Sequence, residues 1–126
     1  MLTTLLSAMA VGRILLGLAP FVAAGPSARL LGFPLDHDSA TARLMGRMFG
    51  VRDVGLGVLT FFALQHPEIM PFVLVFQGCT DLGDLVAIAI PLVRREGIDR
   101  GAWSSLAFAL PAACAWFVVF AAWTSA

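Results

Sequence analysis

The chain has 126 residues, of which 60% are hydrophobic and only 13% charged, with a mean hydropathy of +0.91. A soluble domain of this size would need more charge to cover its surface, so that class is excluded. Eight basic residues, all arginine, balance eight acids, so net charge selects no partner and no basic stripe exists to meet nucleic acid.

The length fits one domain, taken as a single transmembrane unit over residues 1–126. The first element is the apolar run of residues 2–24. It is long enough to cross ~30 Å of hydrocarbon at ~1.5 Å per residue. A secretory signal is the competing reading, with Ala23, Ala24 and Gly25 as a cleavage site. Against it stand the missing positive n-region and Arg13, which interrupts the apolar stretch.

A connection follows over residues 25–42, rich in breakers: Gly25-Pro26, Gly32, Pro34 and the tetrapeptide DHDS. Asp38 and Ser39 are the candidate N-caps of the next helix. Asp36, His37 and Asp38 are adjacent on a loop, a poor arrangement for a closed metal site, so neither metal nor cofactor is expected.

The second span is predicted over about residues 40–65. Within GRMFGVRDVGLG, helical spacing puts Gly46, Gly50, Asp53 and Gly57 on one face. The Gly46/Gly50 pair has the spacing that lets another helix backbone come close. Tight packing alone explains these glycines as well as a functional site does.

The turn after Gln65 is very short, so the second and third spans should be antiparallel neighbours. The third, over about 69–93, contains QGCTDLGDL. Gln77, Asp81 and Asp84 follow i, i+4, i+7 spacing and form one polar stripe. Two aspartates in a membrane helix cost roughly 5–7 kcal/mol, about what the aliphatic and aromatic residues of the span return. The helix therefore needs protons or counter-charges. A charged connection at 94–101, RREGIDRG, leads to the fourth span at about 102–124. That span offers only Ser104, Ser105 and Cys114 as polar groups, should kink at Pro111, and reads as a wall. Trp103 and Trp123 bracket it as interface anchors do. Cys79 and Cys114, in apolar runs without metal-ligand spacing, are expected to be buried free thiols. The Met, Phe and Trp residues are expected to be core or lipid contacts.

The fold class is thus all-α: an integral membrane four-helix bundle of antiparallel up-down topology. Arg29, Arg94, Arg95 and Arg100, with Arg43 at the boundary, lie on the first and third connections. The positive-inside rule makes those connections cytoplasmic and puts both termini outside, with the bacterial inner membrane as the expected compartment.

Near mid-span, Arg13, Arg52, Asp53 and Asp81 share one depth, and Asp84 sits about a turn away at the level of Arg47. Lipid cannot accept these groups, so they should converge inside the bundle. Gly12 and Gly17 flank Arg13, and Gly78 and Gly83 flank the aspartates, leaving room for neighbours.

The segments RLMGRMFGVRDVGLGVL and DLGDLVAIAIP resemble a group of small, uncharacterised four-helix membrane proteins described only as domains of unknown function, and are loosely DoxX-like. Phe49, Gly50, Arg52, Asp53, Gly55, Gly57, Gly83 and Asp84 carry the resemblance. It implies the fold and the importance of the Arg52-Asp53 pair and Asp84, and names no substrate.

Three functions compete. In the first, carboxylates beside an arginine supply a proton donor and acceptor in one desolvated pocket. Asp81 and Asp84 are then acid and base, Arg52 orients the substrate and Asp53 holds Arg52. Arg13, Arg47 and Gln77 bind substrate, with Arg13 able to replace Arg52. The chemistry is similar to the Asp-Arg-Asp arrangement of soluble limonene-epoxide-type hydrolases, by analogy and not homology. It would suit hydrolysis, cyclisation or isomerisation of a lipophilic epoxide or terpenoid-like molecule. The second function is a non-catalytic accessory subunit or assembly factor, in which the cluster fixes helix register, alone or in a homo-oligomer or membrane complex. The third is a proton or small-solute carrier.

Overall fold

The computed structural model describes residues 1–126 as an all-helical chain. The helices are α1 (Leu2–Val22), α2 (Ala24–Leu31), α3 (Ala40–Gln65), α4 (Met70–Arg94) and α5 (Asp99–Ser125), with single 3-10 turns at Leu35–His37 and Pro67–Ile69. All but α2 are long and apolar enough to cross a membrane. Large apolar side chains cover the outside, among them Leu15, Val22, Phe72, Val86 and Val118, as expected of helices that face lipid.

The element the sequence did not announce is α2. Gly25-Pro26 reads as a breaker pair, yet Pro26 falls within the first turn of α2, where a missing N–H costs nothing. Gly32 then ends the helix in the left-handed conformation, φ 91°. Its N–H donates to Arg29 O, and the Phe33 N–H donates to Ala28 O at 3.0 Å. Of the two candidate caps before α3, it is Ser39 that accepts from the Ala42 N–H, at 3.1 Å. Asp38 instead pairs with Arg43 at 2.9 Å.

The helices associate as two tight pairs. α3 packs chiefly on α1, and α4 chiefly on α5. In the first pair the backbones touch. A Cβ added at Gly17 would lie 2.5 Å from Gly50 O, and one at Gly50 would overlap Gly17 O. A Cβ at Gly57 would meet Ala10 O at 2.8 Å. Residues 10 and 17 thus match 57 and 50, so α1 and α3 run in opposite directions. In the second pair Gly78 accommodates the ring of Phe117.

The bundle is not uniform along its length. At the end carrying Met70 and Trp116, Leu6, Ala63, Met70, Val73, Leu74, Trp116 and Val119 form a dry core drawn from all four long helices. A charged layer lies beyond it. On the far side of that layer, towards α2, the buried residues are only Gly17, Gly25, Gly50, Gly101 and Ala102. There α2 bridges to α5: Phe33 lies on Gly101, and Arg100 lies against Gly32.

Three expectations about packing are corrected. Cys79 and Cys114 are exposed, not buried, because both fall on outward faces of α4 and α5. Gly83 and Gly12 admit no neighbour: nothing lies within 4 Å of a Cβ added at either. α5 is more than a wall, since Trp116 reaches the charged layer.

Candidate functional site

The charged layer is a chain of ion pairs that runs across α1, α3 and α4. Arg13 grips Asp81 with both terminal nitrogens, Nη1 to Oδ2 at 3.0 Å and Nη2 to Oδ1 at 2.7 Å. Arg52 grips Asp84 the same way, at 2.8 and 2.7 Å. These are bidentate fork-to-carboxylate pairs, the geometry that gives arginine its advantage over lysine. Asp53 Oδ1 joins the two, accepting from Arg13 Nη2 at 3.4 Å and from Arg52 Nη2 at 3.3 Å. The order through space is Asp81, Arg13, Asp53, Arg52, Asp84.

Aromatic faces cover the guanidinium groups. Trp116 lies 5.7 Å from the Arg13 guanidinium carbon, and Phe49 lies 4.7 Å from that of Arg52. Both are within cation–π reach. The two pairs differ in surroundings. Arg13 and Asp81 are each 6% exposed at the side chain, whereas Arg52 is 36% and Asp84 24% exposed.

Gln77 is fully buried one turn from Asp81 and makes a second polar junction. Its Nε2 donates to Leu56 O at 2.8 Å and to Thr60 Oγ1 at 2.6 Å. Reversing the amide would set two oxygens, Oε1 and Leu56 O, against each other, so this orientation follows from the network. Thr60 Oγ1 donates in turn to Leu56 O at 3.0 Å. Three buried atoms have no partner: Arg13 Nε, Arg52 Nε and Gln77 Oε1. Contacts 52–84, 56–77 and 60–77 join α3 to α4 over about two turns.

Most of the sequence-derived set therefore converges: Arg13, Arg52, Asp53, Asp81, Asp84 and Gln77 share one layer. Arg47 does not join them. It is exposed and makes no ion pair, because it lies five residues before Arg52 and so points away from α4. Asp84 takes Arg52 as its partner in place of Arg47. Three contributors were missed in the sequence. Thr60 was legible as the residue seven after Asp53 on the same face. Phe49 was legible as i, i+3 to Arg52. Trp116 had no local signal, since it approaches Arg13 from another helix.

Two surface depressions lie away from the layer, one along Val86, Ala89, Ile90, Val93 and Arg94 of α4, the other among Leu18, Phe21, Val51 and Val54 of α1 and α3. Two bidentate pairs sharing a third carboxylate can lock three helices in depth and rotation, because sliding one helix by a turn would strand charges in an apolar medium.

A family model for a domain of unknown function, DUF4267, matches residues 10–124. The chain belongs to this family. The matched range includes every residue of the charged layer. No curated protein and no solved structure matches the chain. The DUF4267 membership fits a small membrane protein with four apolar helices and carries no activity with it.

Proposed function

We propose that the protein is a non-catalytic membrane subunit whose Arg/Asp layer clasps the α1/α3 pair to the α4/α5 pair. The observation that carries this reading is that each of the three carboxylates accepts from an arginine, and neither the depression along α4 nor the one between α1 and α3 opens onto any of them. A substrate pocket would need concave apolar volume ending on a free acid or base. A clasp needs the opposite, carboxylates already held by cations. The subunit acts by presenting a rigid apolar surface to a stoichiometric membrane partner, a second copy included.

The test is purification from the native membrane in mild detergent. The expected result is one stoichiometric assembly, retained when Arg13→Met and Asp81→Met are combined, because an apolar pair substitutes for a clasp. Turnover of a lipophilic epoxide that disappears in Asp84→Asn would overturn the reading.

That outcome is the second reading, membrane-embedded acid/base catalysis on a lipophilic epoxide or related substrate. It has a specific observation in its favour: Asp53 Oδ2 accepts no hydrogen bond, beside two arginines. In this reading Asp53 and Asp84, with Arg52 between them, act on the substrate.

We place the protein in a bacterial inner membrane as an up-down bundle with both termini outside. Supporting this, Phe33 on Gly101 and Arg100 against Gly32 bring the first and third connections to one end, so Arg29, Arg94, Arg95 and Arg100 gather on one side. Cysteine-accessibility mapping that finds the N-terminus on the cytoplasmic side would reverse the orientation.

A further inference from the structure

We infer that the half-open Arg52–Asp84 pair is the centre of a surface on which a second copy of this chain docks, with the seam between α3 and α4 of one copy facing the same seam of the other. The inference starts from the exposure of the pair. Arg52 is 36% and Asp84 24% exposed at the side chain, and both sit near the middle of apolar helices, at Ala40–Gln65 and Met70–Arg94. That exposure is to hydrocarbon, which does not accept an ion pair; intramembrane charges face protein or water. Headgroups lie about 15 Å away, half the thickness of the hydrocarbon, and cannot reach it.

The hydrogen-bonding capacity left on the pair selects the occupant. Arg52 has five N–H groups. Nη2 donates to Asp84 and Asp53, Nη1 donates once to Asp84, and Nε is buried without a partner. One Nη1 hydrogen remains uncommitted. Each Asp84 oxygen accepts one of these bonds and keeps a further lone pair. The open edge therefore presents a donor and acceptors side by side, at similar depth on adjacent helices. Such a patch is complementary to itself. A two-fold axis along the membrane normal brings Arg52 against Asp84 of the partner subunit and the reverse, and closes a ring of two arginines and two aspartates. A different partner would need its own matched acid and base at this depth.

The flanks leave room for the approach. Gly55 is one turn from Arg52 and Gly83 adjoins Asp84; both are exposed, and nothing lies within 4 Å of a Cβ added to either. Substituting these two glycines therefore disturbs the docking surface and not the interior, which separates this proposal from the clasp.

The experiment uses the full chain in liposomes, labelled with donor or acceptor dye at Ala126→Cys in a Cys79→Ala, Cys114→Ala background. Energy transfer is followed as the protein-to-lipid ratio rises. The expected curve is that of a two-body association. Gly55→Leu and Gly83→Leu shift its midpoint to about tenfold higher density by blocking helix approach. Val118→Leu, on an exposed face of α5, leaves it unchanged. The unfolding midpoint of none of the three variants falls below that of the parent, since replacing an unpacked helical glycine does not destabilise. A chain that remains monomeric at every density overturns the inference, as does one that assembles only with a different subunit. A dimer indifferent to Gly55→Leu and Gly83→Leu overturns the surface. Loss of transfer without a lower unfolding midpoint leaves the clasp intact, so the two proposals fail separately.

Discussion

α1 and α3 meet backbone against backbone at Gly17, Gly50 and Gly57, whereas α4 reaches that pair through long side chains, Arg13 to Asp81, Arg52 to Asp84 and Gln77 to Leu56 O. In lipid the apolar side chains give helices little reason to prefer each other over the solvent. The chain uses both remaining means, close van der Waals contact in one seam and polar bonds in the other. The glycine seam is short-ranged and tolerates no added atom. The polar seam bridges a wider gap and tolerates exchange of its parts so long as charge stays matched.

The largest expected effect breaks the polar seam. Arg13→Ala leaves Asp81 buried without its counter-charge, and Asp53 with Arg52 alone, and costs about 3–5 kcal/mol, read from unfolding in mixed detergent micelles. Exchanging the pair, Arg13→Asp with Asp81→Arg, should recover most of that loss. No recovery would mean that the geometry around Trp116, and not charge matching, holds the seam.

Next is the glycine seam. Gly50→Ala forces a methyl into the Gly17 carbonyl and costs about 1–3 kcal/mol by the same measurement. Gly12→Ala, on the same helix as Gly17 but with nothing around it, should stabilise by about 0.5–1 kcal/mol. Equal effects at the two glycines would refute the backbone contact. Gln77→Leu removes two interhelical hydrogen bonds and, with them, the unpaired Oε1, for a net loss of about 1 kcal/mol. The smallest effect is at Arg47, which belongs to neither seam. Arg47→Ala should fall within about 0.5 kcal/mol of the parent.

The sequence already contained the spans and most of the charged layer, because hydropathy and helical spacing are local properties. Arg13 and Asp81 are each isolated in apolar runs, so their convergence could be argued from the cost of leaving either in lipid. What depended on rotation about a helix axis was not legible. Arg47 and Arg52 are both arginines on α3 at plausible depth, and only the phase of α3 against α4 selects Arg52. The same ignorance of phase buried Cys79 and Cys114 in expectation while both lie outside. The connection hid α2 because Gly-Pro marks a helix start as readily as a break. Depth can be counted along one helix; the pairing of faces is a property of two.

The separation along the chain of the Arg13 bonds bears on how the protein is made. Arg13 precedes Asp53 by 40 residues and Asp81 by 68. At ~5–20 residues per second, α1 leaves the ribosome about 2–8 s before Asp53 and about 3–14 s before Asp81. During that interval a lone guanidinium must be held by the insertion machinery or by water at the bilayer surface. The final seat of α1 is therefore set late in synthesis, when α4 arrives, and truncation before Asp81 would leave the first helix waiting for a bond that never forms.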